Sequence, residues 1–403
     1  MRVAYRCRAY PDPEQQVMLA RTFGCIRVVW NRTLAVRHAR WVTERKGISY
    51  RETDAALTAM KRLPELAFLN EVSSVPLQQA LRHQHLVVNA FCAGRARYPR
   101  YKSRRSRQAA RYTRSGFRWR DGQLRLAKTH APLRLVWSWP QVDPALLAPT
   151  GVTASRDPDG RWYATLHVQV TDPVPLPKTG RAVGMDLGVS DFAVTSDGER
   201  IANPRHLERK AANLARYQRR MARAQNGSAN RAKAAAKVAR AHRKVRAARA
   251  DFLQRVSTRL VRDHDLLVIE DLNVKGMTAN RRLAKAIMDC GWGTFRGLLA
   301  YKAQRAGRRL VVIDRWYASS QTCSSCGHLA ATLSLGTRTW VCPFCGARHD
   351  RDHNAAKNIL AAGRAVAACG ADISHPGSSR VQSALKQEPQ RVTAGIPALQ
   401  GRE

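Results

Sequence analysis

The sequence predicts an α/β protein of several domains, and three observations carry that prediction. Residues 182–195 and 266–269 are short apolar runs beside Gly and acidic residues, the pattern of buried strands, and an Ala-, Arg-, Lys- and Leu-rich stretch between them, residues 203–262, reads as long helix. Residues 124–126, 133–139 and 151–170 alternate apolar and polar between Asp, Pro and Gly turns, like the strands of a small barrel. Four cysteines in two C-x-x-C pairs mark a compact metal-bound module. With 403 residues, 44% of them hydrophobic, the chain can bury the cores of roughly two to four domains.

Taken in order, residues 3–10 alternate apolar and basic, which fits an edge strand, and Pro11 and Pro13 break the chain. From Glu14 onward Met18, Leu19, Phe23, Ile26, Trp30 and Leu34 recur at helical spacings. Helical patterning resumes over residues 57–63 and 77–91, so residues 14–93 read as a helical unit. Residues 95–120 differ: eleven of the 26 are Lys or Arg, none is acidic, and Tyr98, Tyr101, Tyr112, Phe117 and Trp119 are interleaved. Basic side chains neutralise phosphates while aromatic faces stack on unpaired bases, each stack being worth ~1–3 kcal/mol. A solvated loop whose aromatics build a local core is the competing reading. Residues 171–180, with three prolines, read as a linker. The helix of residues 203–262 breaks at Asn226-Gly227-Ser228 and holds eighteen Lys or Arg against Glu208 and Asp251. So one-signed an excess favours a phosphate-facing helical pair. Residues 365–403 read as a disordered tail.

Charge narrows the function. Seventy Lys and Arg against 29 Asp and Glu leave a formal net charge of +41, which calls for a large polyanion as partner. No apolar run reaches the ~18 residues of a membrane span, and the opening segment has no signal-like stretch, so the chain reads as cytosolic and its polyanion as nucleic acid.

Three acids stand where solvation explains them poorly. Asp186 lies in an apolar strand between glycines, Glu270 closes the strand of residues 266–269, and Asp352 opens an apolar-faced helix. Alone, each could cap a loop or a helix. Together, on so basic a chain, they point to a metal-dependent nuclease. Mg²⁺ takes hard oxygen ligands, and two ions about 4 Å apart stabilise the attacking and leaving oxygens of a phosphodiester. The cysteines Cys323 and Cys326, then Cys342 and Cys345 after a gap of fifteen residues, match a structural zinc site in which four thiolates close the tetrahedron.

These residues resemble a known family. Gly184-Met-Asp-Leu-Gly188, residues 268–273, 319–346 and 350–359 resemble the TnpB (OrfB) proteins of bacterial insertion sequences, as do residues 5–24, Trp30-Asn31, 75–80 and 98–103, so the likeness covers roughly residues 1–362. The resemblance implies an RNase H-like (RuvC) nuclease core with a zinc-ribbon insert, plus an N-terminal wedge β-barrel carrying a helical recognition insert. On that pattern residues 1–13 and 94–175 form the wedge, 14–93 the helical insert, 176–318 and 349–364 the nuclease, and 319–348 the zinc-bearing, target-nucleic-acid-binding insert.

The implied activity is RNA-guided, Mg²⁺-dependent cleavage of double-stranded DNA, with a guide RNA derived from the transposon end and a required transposon-adjacent motif. Asp186, Glu270 and Asp352 match the catalytic acids; Asp350 is two residues away, and the family's register favours Asp352. Partners would be one guide RNA and target duplex, with the protein as a monomer in the bacterial cytoplasm at the nucleoid and no membrane role. Candidate nucleic-acid contacts are Gln78, Gln79, Tyr98, Arg100, Tyr101, Lys102, Arg104 and Arg105, together with Arg219, Arg220, Arg243 and Lys244. A cut-and-join transposase and a catalytically idle, guided DNA-binding regulator stand as alternatives.

Overall fold

The computed structural model describes residues 2–368 apart from 105, 106, 172, 173, 332 and 335, so the expected contact Arg105 and the tail from residue 369 lie outside the described residues. Two compact units emerge, Met1–Asp172 with Ala212–Lys244, and Pro173–Ala211 with Val245–Glu403.

The first unit begins with β1 (Arg2–Tyr10), whose alternation buries Val3, Tyr5, Cys7 and Ala9. Asp12 then caps α1 (Pro13–Glu44), accepting from the Gln15 amide, while Pro13 supplies the preset first helical residue. Helices α2 (Tyr50–Met60) and α3 (Ser74–Cys92) follow, then β2 (Gln108–Thr113), β3 (Phe117–Arg120), β4 (Gln123–Leu126), β5 (Arg134–Val136), β6 (Pro149–Arg156) and β7 (Trp162–Gln169). The main sheet is antiparallel in the order β2-β6-β7-β1-β5, and β3 and β4 form a separate ladder. Strand β1 is therefore not an edge, as its alternation led us to expect: it pairs with β7 along its length and with β5 at Arg8–Tyr10. Alternation reports a one-sided sheet, not an edge. Leu19, Phe23 and Ile26 of α1 and Leu77 and Leu81 of α3 share a core with Tyr5, Tyr112 and Leu166.

The basic helices α4 (Ala211–Arg223) and α5 (Ala229–Asp263) flank the expected break. Residues 203–262 are expected whole in the nuclease, whereas α5 divides between units at Lys244 and Val245. Chemistry explains the division. Arg243 Nε lies 2.5 Å from Oδ2 of Asp159, whose side chain is 2% exposed, whereas Leu253, Val256 and Leu260 join the apolar core of the second unit.

That second unit holds β8 (Ala182–Asp186), β9 (Asp191–Thr195), β10 (Arg200–Ala202), β11 (Leu266–Glu270), α6 (Val274–Met277), α7 (Ala284–Cys290), α8 (Trp292–Ala306), β12 (Arg309–Ile313), β13 (Thr339–Val341), β14 (Arg348–Asp350) and α9 (Arg351–Ala368). Helix α9 thus runs four residues past the tail boundary expected at 364. The sheet order is β10-β9-β8-β11-β12: β8, β9 and β10 pair antiparallel as the expected hairpin and its extension, and β11 runs parallel to β8 and β12. Side chains alternate between two helical layers. Val183, Met185, Leu267 and Ile269 pack with residues of α5 and α8, and Val268, Val311 and Ile313 pack with Ile359 of α9.

Candidate active site

Strands β8 and β11 are parallel neighbours with Met185 opposite Ile269, so the next residues, Asp186 and Glu270, stand side by side at their C-terminal ends. Met185 and Ile269 face the α5–α8 layer; a period of two turns both carboxylates toward α9. Asp352 lies in the first turn of α9. Burial, then the neighbouring charges of Glu270 and Asp352, push the Asp186 carboxyl up to about 7. Burial also raises Glu270, against a hydrogen bond from Ser319 that lowers it.

The other acids nearby are already engaged. Asp350 caps α9 by accepting from His353 N at 2.9 Å and pairs with Arg200 at 2.6 Å. Asp271 pairs with Arg296 and Arg315. Asp352 keeps looser company, with Arg338 at 3.4 Å and Arg200 at 4.0 Å. Arg338 carries no sequence signal of its own. It belongs to the cysteine module and sits isolated in the sequence, so only folding brings it to Asp352.

Beside these acids the thiols of Cys323, Cys326, Cys342 and Cys345 converge, all four sulfurs within 4.8 Å of one another. Gly327 and Gly346 adopt φ of +77° and +72°, and their amides bond back to Cys323 and Cys342 at 2.9 and 3.0 Å. These turns aim each pair of sulfurs at one point. Burial alone would raise the Cys323 thiol, but amides of Cys326 and Ser325 and the His349 ring outweigh it and hold it at about 5. His349 Nε2 lies 3.0 Å from Cys323 Sγ and is an outer partner to the thiols. The donor set fits a closed, structural metal.

In the first unit the expected contacts separate. Tyr112 and Phe117 are core residues, and Trp119 donates to Pro144 O at 3.2 Å, so the local-core reading holds for those three. Trp30 donates to Arg100 O at 3.0 Å, and Asn31 exchanges two bonds with the Lys102 backbone at 2.8 and 2.9 Å. The Lys102 ammonium lies 4.4 Å from the Trp30 ring centroid, lowered in pKa by burial. Tyr98 is half-buried against Phe91, whereas Arg100, Tyr101 and Arg104 are exposed. Gln78 and Gln79 are half-buried on α3; Arg219, Arg220 and Lys244 are exposed; Arg243 is committed to Asp159.

Comparison with known proteins places the chain in a family. A family described as "Probable transposase" matches residues 165–281, and one described as "Cas12f1-like, TNB domain" matches 292–359. One described as "Helix-turn-helix domain" matches 1–46, a span that holds β1 and the single helix α1. A Streptomyces pristinaespiralis protein named "Putative RNA-guided DNA endonuclease" is 51% identical over 399 residues, 98% of each chain. InsQ of Escherichia coli K12, under the same description, is 31% identical over 403 residues, covering 96% of this chain and 97% of its own. The fold is similar to that of Cas12f1 in a cryo-EM structure of its complex with sgRNA and target DNA, with a TM-score of 0.53 at 14% identity over 86% of this chain and 83% of that one. Identity carried end to end through both units, with the cysteine module in place, makes this chain a member of the TnpB (OrfB) family.

Proposed function

We propose that this protein is an RNA-guided, Mg²⁺-dependent endonuclease of double-stranded DNA. The observation that carries the reading is the meeting of Asp186, Glu270 and Asp352 on the α9 side of the sheet, where burial and then the like charges of Glu270 and Asp352 raise Asp186 to about 7. Such a cluster is stabilised by a divalent cation, and its donors are all hard oxygens. The strand order, three antiparallel strands followed by two parallel ones with α9 across β8, supports an RNase H-like (RuvC) core.

Mg²⁺ bound to these acids would activate water and stabilise the leaving oxygen of the phosphodiester. Asp186 and Glu270 provide ligands from rigid strand ends, and Asp352 approaches from the helix. Arg338, beside Asp352, is placed to meet the scissile phosphate. The four cysteines hold structural Zn²⁺. In the first unit, read as wedge and helical insert, Arg100, Tyr101 and Arg104 supply exposed charge and one stacking face for guide RNA or adjacent-motif DNA. Exposed Arg219, Arg220 and Lys244 serve the guide–target hybrid, so that base pairing reads the sequence.

The test is purified protein with its co-purifying RNA, assayed on duplex DNA complementary to that RNA's variable end. Asp186→Ala should abolish cleavage and leave RNA and target binding intact. Cleavage retained by Asp186→Ala would remove the site assignment, and absence of a discrete RNA would remove the guided reading.

A further inference from the structure

Ser319 joins the strand that carries Glu270 to the helix that carries Asp352. Its hydroxyl donates to Glu270 Oε1 at 2.5 Å, and the residue is 8% exposed. Its carbonyl accepts from Asn358 Nδ2 at 2.8 Å, and the same amide reaches Thr322 O at 2.6 Å. One turn earlier, Asn354 donates to Thr322 O at 2.7 Å and accepts from Ser324 N at 2.9 Å. Both asparagines are buried on α9, two and six residues beyond Asp352, and Cys323 is bracketed by the residues they hold. The serine has little freedom of its own.

We infer that Ser319 is a positioning residue for the nuclease metal: it fixes the rotamer of Glu270 through Oε1 so that Oε2 is presented beside Asp186. The inference rests on the metal-site reading proposed above. Its physical basis is general. A ligating carboxylate held by an outer hydrogen bond loses less rotational freedom on binding, and removing such a partner typically costs ~10- to 100-fold in metal affinity or activity. The same clamp makes the cysteine module part of the catalytic geometry, because the segment that enters the first cysteine pair is the segment that holds Glu270.

The experiment compares Ser319→Thr with Ser319→Val, which have one shape and differ in the hydroxyl, with Ser319→Ala as a third variant free of added bulk. Zinc-loaded full-length protein is titrated with Mn²⁺ and free Mn²⁺ is read by electron paramagnetic resonance, the site being defined as the binding that Asp186→Ala abolishes. Zinc content and melting temperature are recorded for each variant. Val and Ala should bind Mn²⁺ about tenfold more weakly than wild type and need correspondingly more Mg²⁺ for half-maximal cleavage, with Thr near wild type. Equal Mn²⁺ affinity in Thr and Val would overturn the inference while leaving the metal site standing. No Asp186-dependent Mn²⁺ in the wild type would remove the site reading and this inference with it.

Discussion

Gly184 on β8 lies directly beneath Leu360 on α9: a Cβ at Gly184 would stand 2.6 Å from the Leu360 backbone nitrogen. Gly363 meets β11 in the same way, against the side chain of Val268. Helix and sheet approach this closely only because both contacts lack a side chain, and the approach is what brings Asp352 down to Asp186.

Gly184→Ala should therefore push α9 off the sheet. The expected cost is about 2–3 kcal/mol, as for other overpacked cores, with cleavage lost disproportionately because the acids separate. Gly297→Ala on α8 is the control. It has nothing within 4 Å, is exposed, and should stabilise by about 0.5–1 kcal/mol. Thermal melts of the two variants with parallel cleavage assays check both.

The acid cluster predicts a pH dependence in metal-free protein. Asp186 is raised from 3.8 to about 7, so the folded state holds a proton there more tightly than the unfolded chain does. Its favourable contribution is present below about pH 4 and disappears as pH climbs through about 7. Asp186→Asn carries no charge and should melt higher than wild type at pH 8, by an amount on the order of 2–4 kcal/mol, with the gap closing toward pH 4. Added Mg²⁺ should raise the wild type and leave the variant unmoved. An advantage that is flat with pH would show that charge is not the cause.

Neighbouring basic residues on α5 should behave oppositely. Arg243 is the nearer of two guanidinium partners of Asp159, with Arg161 at 3.6 Å, so Arg243→Ala weakens the pairing of a carboxylate only 2% exposed and should cost about 2 kcal/mol. Lys244 is exposed. Lys244→Ala should leave the melt unchanged and lower the slope of log K against log salt for nucleic-acid binding by about 1 if it meets a phosphate. Denaturant titrations and salt-dependent binding separate the two roles.

Chelation tests the cysteine module. Its own buried apolar set is small, Ala330 and Trp340 beside Cys323 and Cys342, too little to fold without metal. Strong chelator should open residues 319–348 to protease while the β-sheet of the first unit keeps its protection. Cys342→Ser should do the same without chelator. Unchanged proteolysis in both would show that the thiols hold no structural metal.

The carboxylates and cysteines were legible in the sequence because each is a local signal. An acid closing an apolar strand, or two C-x-x-C pairs fifteen residues apart, needs no tertiary information. The strands of residues 182–195 and 266–269 and the helix break near 227 were legible for the same reason. Pairing was not. Alternation in residues 3–10 is common to edge and interior strands of a one-sided sheet, and β1 proved interior. The aromatic-basic tract divided too, Tyr112 and Phe117 turning into the core while Tyr101 stayed outside. Composition counts side chains but does not say which way a strand faces.

Residue types alone establish which ligand atoms are on offer: carboxylate oxygens suited to a hard cation, thiols suited to a soft one, and a +41 excess that favours a polyanion. Tertiary structure decided which charges are available to that polyanion. Arg243 is committed to Asp159, Lys102 to Trp30, and Asp350 to the cap of α9, while Arg338 and Ser319 are brought from the cysteine module to the acids. The reason is distance. A residue's type is written at its own position, but its partner can lie 150 positions away, as for Arg200 and Asp350, and only the packing of α9 on the sheet makes them neighbours.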